Sequence, residues 1–338
     1  MGVIMHLYIE VVLDLNPYAN CMTDQLKIAN EQSYSKETRA IIAIFITILI
    51  FGIMPILIRW SENEISPNAT IFNRCWIAAV VFGLWQEISL IHQRWLGEQP
   101  IVKQSLNKQQ FLLLLVTSVF FCATQLFWAW SLTQTSLANA AVIHNLTPFF
   151  TALGGYLLFN QRFDYKFLLG LIIATVGTIF LGLCDLQIGS IKLQGDLLAF
   201  LSALFYAAYF LGIEKLRTQL TVTTILTWIY RIVTLFFVVI ILTVKDEWFP
   251  HSWNGWLAVI TLALALLVSH MLLVYSLKYL SSSFVAMINL FDPAVTGFLA
   301  WMIFAEALNW LNLVAFTIII LGIYLALSSK GAIKSVAE

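Results

Sequence analysis

The stretch His144-Asn145-Leu146-Thr147-Pro148 lies inside a long apolar run and has a counterpart 145 positions later, Asn289-Leu290-Phe291-Asp292-Pro293. Residues on both sides keep this offset without a gap: Ser131 with Ser276, Leu132 with Leu277, Ala141 with Ala286, Thr151 with Thr296 and Gly177 with Gly322. Shared leucines would mean little in an apolar chain. A proline, a glycine, a threonine and a serine in one register indicate a duplication. The chain is therefore interpreted as two copies of one unit, whose working centre lies where the two proline-containing helices meet.

The composition is that of a membrane protein. Hydrophobic residues make up 60% of the 338 residues, charged residues 11%, and the mean hydropathy is +0.87. A soluble domain needs more charge to cover its surface. The net charge is zero and no basic tract indicates a nucleic-acid partner. The four cysteines (Cys21, Cys75, Cys122, Cys184) show neither metal-ligand nor disulfide spacing. We therefore expect no metal and no cofactor.

Ten apolar runs are long enough to cross about 30 Å of hydrocarbon as helices. They lie near residues 40–60, 68–91, 110–131, 137–159, 166–184, 194–215, 223–244, 254–278, 283–304 and 309–329. The predicted fold is an all-α polytopic membrane protein with ten transmembrane helices in two inverted five-helix repeats. Its predicted divisions are a cytoplasmic tail (1–38), the first repeat (39–185), the second repeat (192–329) and a second cytoplasmic tail (330–338). Met22 is a second candidate for the first residue of the chain.

Lysine and arginine positions predict the orientation. With the N-terminus inside, thirteen of them fall in cytoplasmic segments and three on the opposite side. This bias places both termini in the cytoplasm and the chain in the cell inner membrane. Five spans per copy is an odd number, so the second copy is inverted relative to the first. Inverted repeats carry their substrate site near the middle of the membrane, between the copies.

Several short motifs in this order carry a resemblance. They are Pro67 with Arg74, Asn145-Leu146-Thr147-Pro148 with Phe149-Phe150, Gly195-Asp196, Asp292-Pro293, Glu306 and Gly322. The ordered set on ten spans resembles an EamA-type permease of the drug/metabolite transporter superfamily, over about residues 40–330. Gln161 stands where that family usually carries a glutamate at the end of the first proline helix. The resemblance implies a secondary transporter or exporter of small metabolites.

Asp292 is the sharpest candidate for a substrate or coupling residue, because a charged side chain in the middle of a span is costly to bury. Asn289, Asp292, Pro293 and Thr296 fall on one helix face. Pro293 has no N–H, so we expect the Asn289 carbonyl to be a free acceptor. The structural alternative is that Asp292 only holds a partner helix.

His144 and Asn145 occupy the corresponding level of the fourth span. A histidine titrates near neutral pH and could exchange protons; the alternative is a neutral histidine bonded to a neighbouring carbonyl. The same alternatives apply to His270 in the eighth span. Pro148 and Pro293 are the predicted helix breaks.

Further candidates are weaker. Arg231, beside Trp228 and Tyr230, is predicted to meet an anionic substrate, whereas Arg74 is expected to reach the interface or pair with a carboxylate. Gln125, Trp128 and Tyr209 are predicted to line a cavity, and the alternative is contact with lipid or packing. Glu214 is expected to be solvated at a cytoplasmic helix end.

Two other functions compete with transport. An intramembrane enzyme would need a nucleophile–base pair or a metal set, and no GxSxG or HExxH motif occurs in the sequence. A channel or a non-transporting scaffold is the third hypothesis. No P-loop is present, so ATP is not expected to drive the protein directly. The predicted partners are a small-molecule substrate and the lipid bilayer, and a homodimer is left open.

Overall fold

The structure, a computed structural model, describes residues 36–95, 106–135, 137–184, 193–304 and 310–328. All regular elements in these ranges are helices. They are α1 (Lys36–Glu62), α2 (Pro67–Trp95), α3 (Lys108–Leu132), α4 (Leu137–His144), α5 (Thr147–Phe159), α6 (Tyr165–Cys184), α7 (Leu193–Arg217), α8 (Val222–Val244), α9 (Trp253–Ser276), α10 (Ser282–Ile288), a 3-10 turn (Asn289–Phe291), α11 (Asp292–Phe304) and α12 (Trp310–Leu327).

Nine helical segments in the described part of the chain are long and apolar enough to cross a membrane. The broken pairs α4–α5 and α10–α11 each count as one of these segments. The remaining long helix, α2, has 29 residues but is less apolar, because Asn68, Asn73 and Arg74 occupy its first two turns. The described part of the chain thus has only helices as regular elements, and their apolar lengths are those of an integral membrane protein.

The first break separates α4 from α5. His144 ends α4, Asn145 and Leu146 form a turn, and Thr147 begins α5 with Pro148 in its first turn. Proline suits the start of a helix because it lacks an N–H that would otherwise go unpaired there. The Thr147 hydroxyl donates to the His144 carbonyl at 2.6 Å and so satisfies an acceptor at the end of α4.

The second break has a different backbone. A 3-10 turn at Asn289–Phe291 joins α10 to α11, and the Asp292 N–H donates to the Asn289 carbonyl. The expectation that this carbonyl is free is therefore wrong. Pro293 has no N–H to donate to the Asn289 carbonyl, and the tighter 3-10 turn brings the N–H of Asp292 to that carbonyl instead.

Four helix pairs make the most extensive contacts: α6 with α12, α3 with α7, α1 with α9, and α2 with α8. The α6–α12 pair packs closely because small residues meet there. A side chain at Gly170 or Gly322 would collide with the backbone of the opposite helix. Small residues are the usual means by which membrane helices approach closely.

The two ends of the bundle are named after their loops. At the α1–α2 end, Glu64 accepts hydrogen bonds from the backbone of His251 and Ser252 before α9. Asp246, after α8, accepts from Ser66 and Asn68. The opposite end, which holds the loops α5–α6, α7–α8 and α9–α10, is the α7–α8 end.

Candidate functional site

A cavity of about 1010 Å³ lies in the centre of the bundle. Every described helix except α8 contributes to its lining, and both helix breaks lie in its wall, with Pro148 and Pro293 among the lining residues. The polar and titratable lining residues include Glu62, Arg74, Gln125, His144, Asn145, His270, Asn289, Asp292, Thr296 and Asn312. The cavity thus brings together most of the predicted site residues from the two halves of the chain.

The cavity is open at one end of the bundle. Its lining reaches the α1–α2 end at Glu62, Pro67 and Thr133. Toward the α7–α8 end the lining stops at Phe210 and Ala286. Residues 281–285, which precede Ala286 and include the first part of α10, are buried beyond that floor.

Two side-chain acceptors at the second break have no hydrogen-bond partner among the described residues. They are Oδ1 of Asn289 and Oδ1 of Asp292, one turn apart on the cavity wall. The Tyr206 side chain, also in the lining, is within electrostatic range of Asp292. A buried acceptor without a partner is costly. These oxygens are therefore suited to receive a hydrogen-bond donor or a cation from the cavity.

At the first break, His144 is held between aromatic rings, with Trp128 at 4.7 Å and Tyr206 at 5.5 Å between ring centroids. Its Nδ1 lies 3.3 Å from Oγ of Ser202. The Ser202 hydroxyl gives its only proton to the Thr124 carbonyl, at 3.0 Å. Ser202 must therefore accept from His144, so the imidazole carries its proton on Nδ1 when neutral. Nε2 of His144 then remains an acceptor at the cavity wall.

Arg74 is the cation of the cavity wall in the described part of the chain. Its side chain is buried, with 6% exposure, and donates from Nη2 to Oε1 of Gln125. Nε has no hydrogen-bond partner. Glu62 is within electrostatic range of Arg74, but no described carboxylate forms an ion pair with it. The expected pairing with a carboxylate is therefore not observed, and Arg74 is a buried guanidinium facing the cavity.

Two predicted site residues lie elsewhere. Arg231 is exposed on α8, outside the cavity, with its guanidinium 6.0 Å from the Trp228 ring centroid. Tyr209 is fully buried behind the wall, where its ring packs 4.9 Å from that of Phe121. His270 does line the cavity, and its Nδ1 donates to the Leu266 carbonyl at 3.2 Å. Glu306 falls outside the described residues.

The sequence favoured a structural role for Arg74, which lines the cavity, and did not single out Ser202 or Asn312. The direction in which Arg74 points depends on the rotation of α2 against α3, which a single sequence does not show. The pairing of Ser202 with His144 depends on contacts between α4 and α7. A polar residue one or two turns inside a span is the signal that was available for Arg74.

The α7–α8 end is closed by four residues, which we call the Glu214 cluster: Gln161, Glu214, Ser282 and Ser283. Oε1 of Glu214 accepts from Nε2 of Gln161 at 2.9 Å, and Oε2 accepts from the Ser282 N–H at 2.8 Å. The Ser283 hydroxyl donates to Oε1 of Gln161 at 3.4 Å. One carboxylate thus joins the ends of α5, α7 and α10.

The expectation that Glu214 is solvated is wrong, because its side chain is buried with 4% exposure. The reason is the turn after α5. Asn160 adopts a left-handed conformation (φ 51°) and directs the chain back over the bundle, so that Gln161 covers the carboxylate. Asparagine tolerates this conformation better than most residues.

The similarity of this chain to known proteins identifies its family. The model of the EamA-like transporter family matches residues 38–183 and again residues 193–328. An uncharacterized transporter of Bacillus subtilis (strain 168), YxxF, is 24% identical over 270 residues, which cover 78% of this chain and 81% of that protein. A solved crystal structure, described only as that of a protein, is 15% identical, covers 85% of this chain and 98% of its own, and superposes with a TM-score of 0.69. Because the family model matches both halves of the chain, the protein belongs to the EamA-like transporter family.

Proposed function

We propose that this protein is a secondary transporter that moves small metabolites by alternating access, with its substrate site in the central cavity. The observation that carries the proposal is the cavity itself. It is lined by both halves of the chain, contains both helix breaks, opens at the α1–α2 end and stops at the Glu214 cluster. A site near the middle of the membrane that opens to one side at a time is the arrangement that inverted-repeat transporters use.

The packing supports ten spans in two inverted five-helix repeats. The α3–α7 contact has its counterpart in α1–α9, and the α3–α8 contact in α2–α9. The pairs α2–α8 and α6–α12 each relate a helix to its own counterpart. Exchanging the two halves therefore reproduces the same set of contacts, as a pseudo-two-fold axis requires. In this proposal α2 also crosses the membrane, which brings the number of spans to ten.

The charge bias supports an orientation. The α7–α8 end carries most of the lysines and arginines of the sequence, so it is the cytoplasmic end. The open mouth at the α1–α2 end then faces outward. In an exporter, this is the state that has released its substrate. We therefore propose that the net movement is outward.

Protons are the proposed coupling ion. Asp292 lines the cavity and has one carboxylate oxygen without a hydrogen-bond partner among the described residues, and His144 lines the same space from the other half. Tyr206 lies near both side chains. A carboxyl and an imidazole that face a water-accessible cavity can each take up a proton on one side and release it on the other.

Untargeted metabolite profiling tests the function without assuming a substrate. Cells would express the wild-type protein, Asp292→Asn, the control Glu247→Gln or an empty vector at matched membrane levels. Glu247 is an exposed loop residue outside the cavity lining. We expect one class of compounds to accumulate in the medium with wild type and with Glu247→Gln but not with Asp292→Asn. If wild type and empty vector give the same extracellular and intracellular profiles, the proposed transport is wrong.

A further inference from the structure

We propose that Arg74 is an oxyanion-binding residue, and that the substrate is an elongated organic acid. In this proposal a carboxylate or phosphate binds Arg74, a flat apolar body occupies the aromatic part of the cavity, and a hydrogen-bond donor reaches Asp292 and Asn289. This inference rests on the proposed transport function and names its substrate class.

The guanidinium of Arg74 has the features of an anion site. It is buried, lies in the cavity wall and has no ion pair with a described carboxylate. One of its amino groups is held by Gln125, which fixes the plane of the guanidinium. Nε remains unpartnered. A guanidinium with free N–H groups in a fixed plane binds carboxylates and phosphates through paired hydrogen bonds.

The charges around the cavity favour an anion at this position rather than elsewhere. Glu62 lies at the mouth and Asp292 lies deeper, so the two acidic residues stand on either side of the level of Arg74. His270, the nearest imidazole, is within electrostatic range of Arg74 and bonds a carbonyl through Nδ1. An oxyanion beside Arg74 gains from the cation, whereas at the level of Asp292 it would meet a carboxylate.

Contacts between helices give the distance between the two polar ends. The Ser61–Thr70 hydrogen bond aligns α1 with α2, and Gly52 lies against Val295, which aligns α1 with α11. Counting along these helices at 1.5 Å per residue places Arg74 on the order of 10 Å outward of Asp292. The charged groups of a single α-amino acid headgroup are too close together to reach both. The substrate therefore needs a body between its anion and its donor.

Aromatic rings line the interval between the two ends. Phe51 and Phe121 contact His270, with ring centroids at 5.8 Å and 5.6 Å. Trp128 and Tyr206 enclose His144 on the other side. All of these side chains line the cavity. Aromatic walls favour a flat apolar body, since ring stacking adds to the burial of its surface.

The test uses probes that share one body and differ in charge. The purified full-length protein in detergent is titrated with 3-(4-hydroxyphenyl)propionate, with 2-(4-hydroxyphenyl)ethylphosphonate and with the neutral 3-(4-hydroxyphenyl)propionamide. Binding is measured from the ligand-dependent shift of the thermal unfolding temperature. The variants are Arg74→Gln, Arg74→Lys, which keeps the charge but loses the planar fork, and Arg231→Gln as the control cation outside the cavity.

We expect both acids to bind wild type and Arg231→Gln at least tenfold more tightly than the amide does. Arg74→Gln should lose that preference, and Arg74→Lys should keep part of it. A preference for the propionate identifies a carboxylate substrate, and one for the phosphonate identifies a phosphate. If the amide binds wild type as tightly as the acids, if no acid binds, or if Arg74→Gln keeps the preference, the inference is wrong. Metabolite profiling judges transport separately, because it presumes no charge on the substrate.

Discussion

At the residue scale, the cavity wall is marked by polar side-chain atoms that have no hydrogen-bond partner in the described protein. Arg74, Asn289 and Asp292 each retain at least one such atom in the described structure. Unpaired buried groups are uncommon in folded proteins because each costs free energy. With Oδ1 of Asn312, four such side chains line one cavity in the described structure, which favours a site whose partners come from a ligand.

Removing the Ser202 hydroxyl tests the assigned proton position of His144. In Ser202→Ala the Nδ1–H of His144 loses its acceptor, so the imidazole is free to move its proton to Nε2. A single hydrogen bond contributes about 1 kcal/mol, which is about fivefold in a rate or affinity. We expect Ser202→Ala to reduce the transport rate severalfold and to change its dependence on pH.

The matched control is Ser131→Ala, which removes a buried serine hydroxyl that bonds the Trp128 carbonyl in α3. Transport rates of both variants would be measured in proteoliposomes across a range of pH. An unchanged pH profile in Ser202→Ala would contradict the role given to this contact.

The candidate residues that sit at a helix break do line the cavity, and their roles in binding or coupling stay predictions. Asp292, His144, Asn145 and Asn289 line the cavity because proline fixes the position of each break along its span. Arg74 and Arg231 were interpreted the wrong way round with respect to the cavity. Both lie a few residues inside a span, and only the rotation of each helix decides which one faces inward.

At the scale of elements, the α6–α12 pair joins the end of one half to the end of the other. Gly170 and Gly322 let these helices approach so closely that each faces the backbone of the other. We expect Gly322→Val to destabilise the protein by about 1–3 kcal/mol through overpacking. Thermal unfolding in detergent would measure the loss.

Leu321→Val is the control for this change, since Leu321 lies on the exposed face of the same helix turn. It should leave the unfolding temperature within a degree or two of wild type. Equal effects of the two variants would show that close packing at Gly322 is not what stabilises the pair.

The loops of the α1–α2 end offer a pH-dependent element outside the membrane. Hydrogen bonds from the Ser252 hydroxyl and from the backbone of Ser252 and His251 hold the pKa of Glu64 below its ordinary value. The folded state thus favours the carboxylate. Its stabilising effect is complete above the ordinary carboxyl pKa and is lost as the pH falls through the lower folded-state pKa.

We therefore expect Glu64→Gln to lower the unfolding temperature at pH 7 and to have a smaller effect at pH 3. Glu247→Gln, which changes an exposed carboxylate in the same loop region, is the comparison. A Glu64→Gln effect of the same size at both pH values would contradict the role of the charged form.

Helix positions were predicted from apolar length alone, and their limits differ from the observed ones by a few residues. The breaks were predicted from proline. The 3-10 geometry at Asn289–Phe291 was not, because it depends on which N–H finally reaches the Asn289 carbonyl. A proline in the sequence indicates that one backbone hydrogen bond of the helix is missing, but it does not show which donor replaces the missing N–H.

At the scale of the whole molecule, one end of the bundle is closed and the other is open. The Glu214 cluster joins α5, α7 and α10 at one end, while the cavity reaches the surface at the other. Alternating access requires that this cluster separates when the α7–α8 end opens. In the proposed alternating-access cycle, the strength of this cluster limits how often the α7–α8 end opens.

Glu214→Gln should weaken the closed end. The amide keeps the shape of the side chain but loses the charge that accepts from Gln161 and from the Ser282 N–H. Charge-assisted hydrogen bonds are about twice as strong as neutral ones. We expect the variant to increase severalfold the rate at which a cysteine at Ser283 reacts with a thiol reagent from the cytoplasmic side.

The control for that experiment is Thr218→Ala, which changes an exposed residue just beyond α7. It should leave the reaction rate unchanged. An equal rate in wild type, Glu214→Gln and Thr218→Ala would mean that the cluster does not limit opening.

The two-repeat organisation was visible in the sequence because one offset relates several small and polar residues of α3 to α6 to those of α9 to α12. The state of the cavity was not visible there. Which end is open depends on the sum of contacts at both ends, including the buried Glu214, which the sequence presents as an ordinary helix-end glutamate.

The most direct test of the account is the accessibility of the cavity floor from each side of the membrane. In an active background that lacks the four native cysteines, single cysteines replace Ala286 at the floor and Ser283 in the Glu214 cluster. A membrane-impermeant thiol reagent is then added from outside or from the cytoplasmic side. The account predicts that Ala286→Cys reacts rapidly from outside, and that Ser283→Cys reacts only from the cytoplasmic side and faster during transport. Reaction of Ala286→Cys from the cytoplasmic side alone, or from neither side, would contradict it.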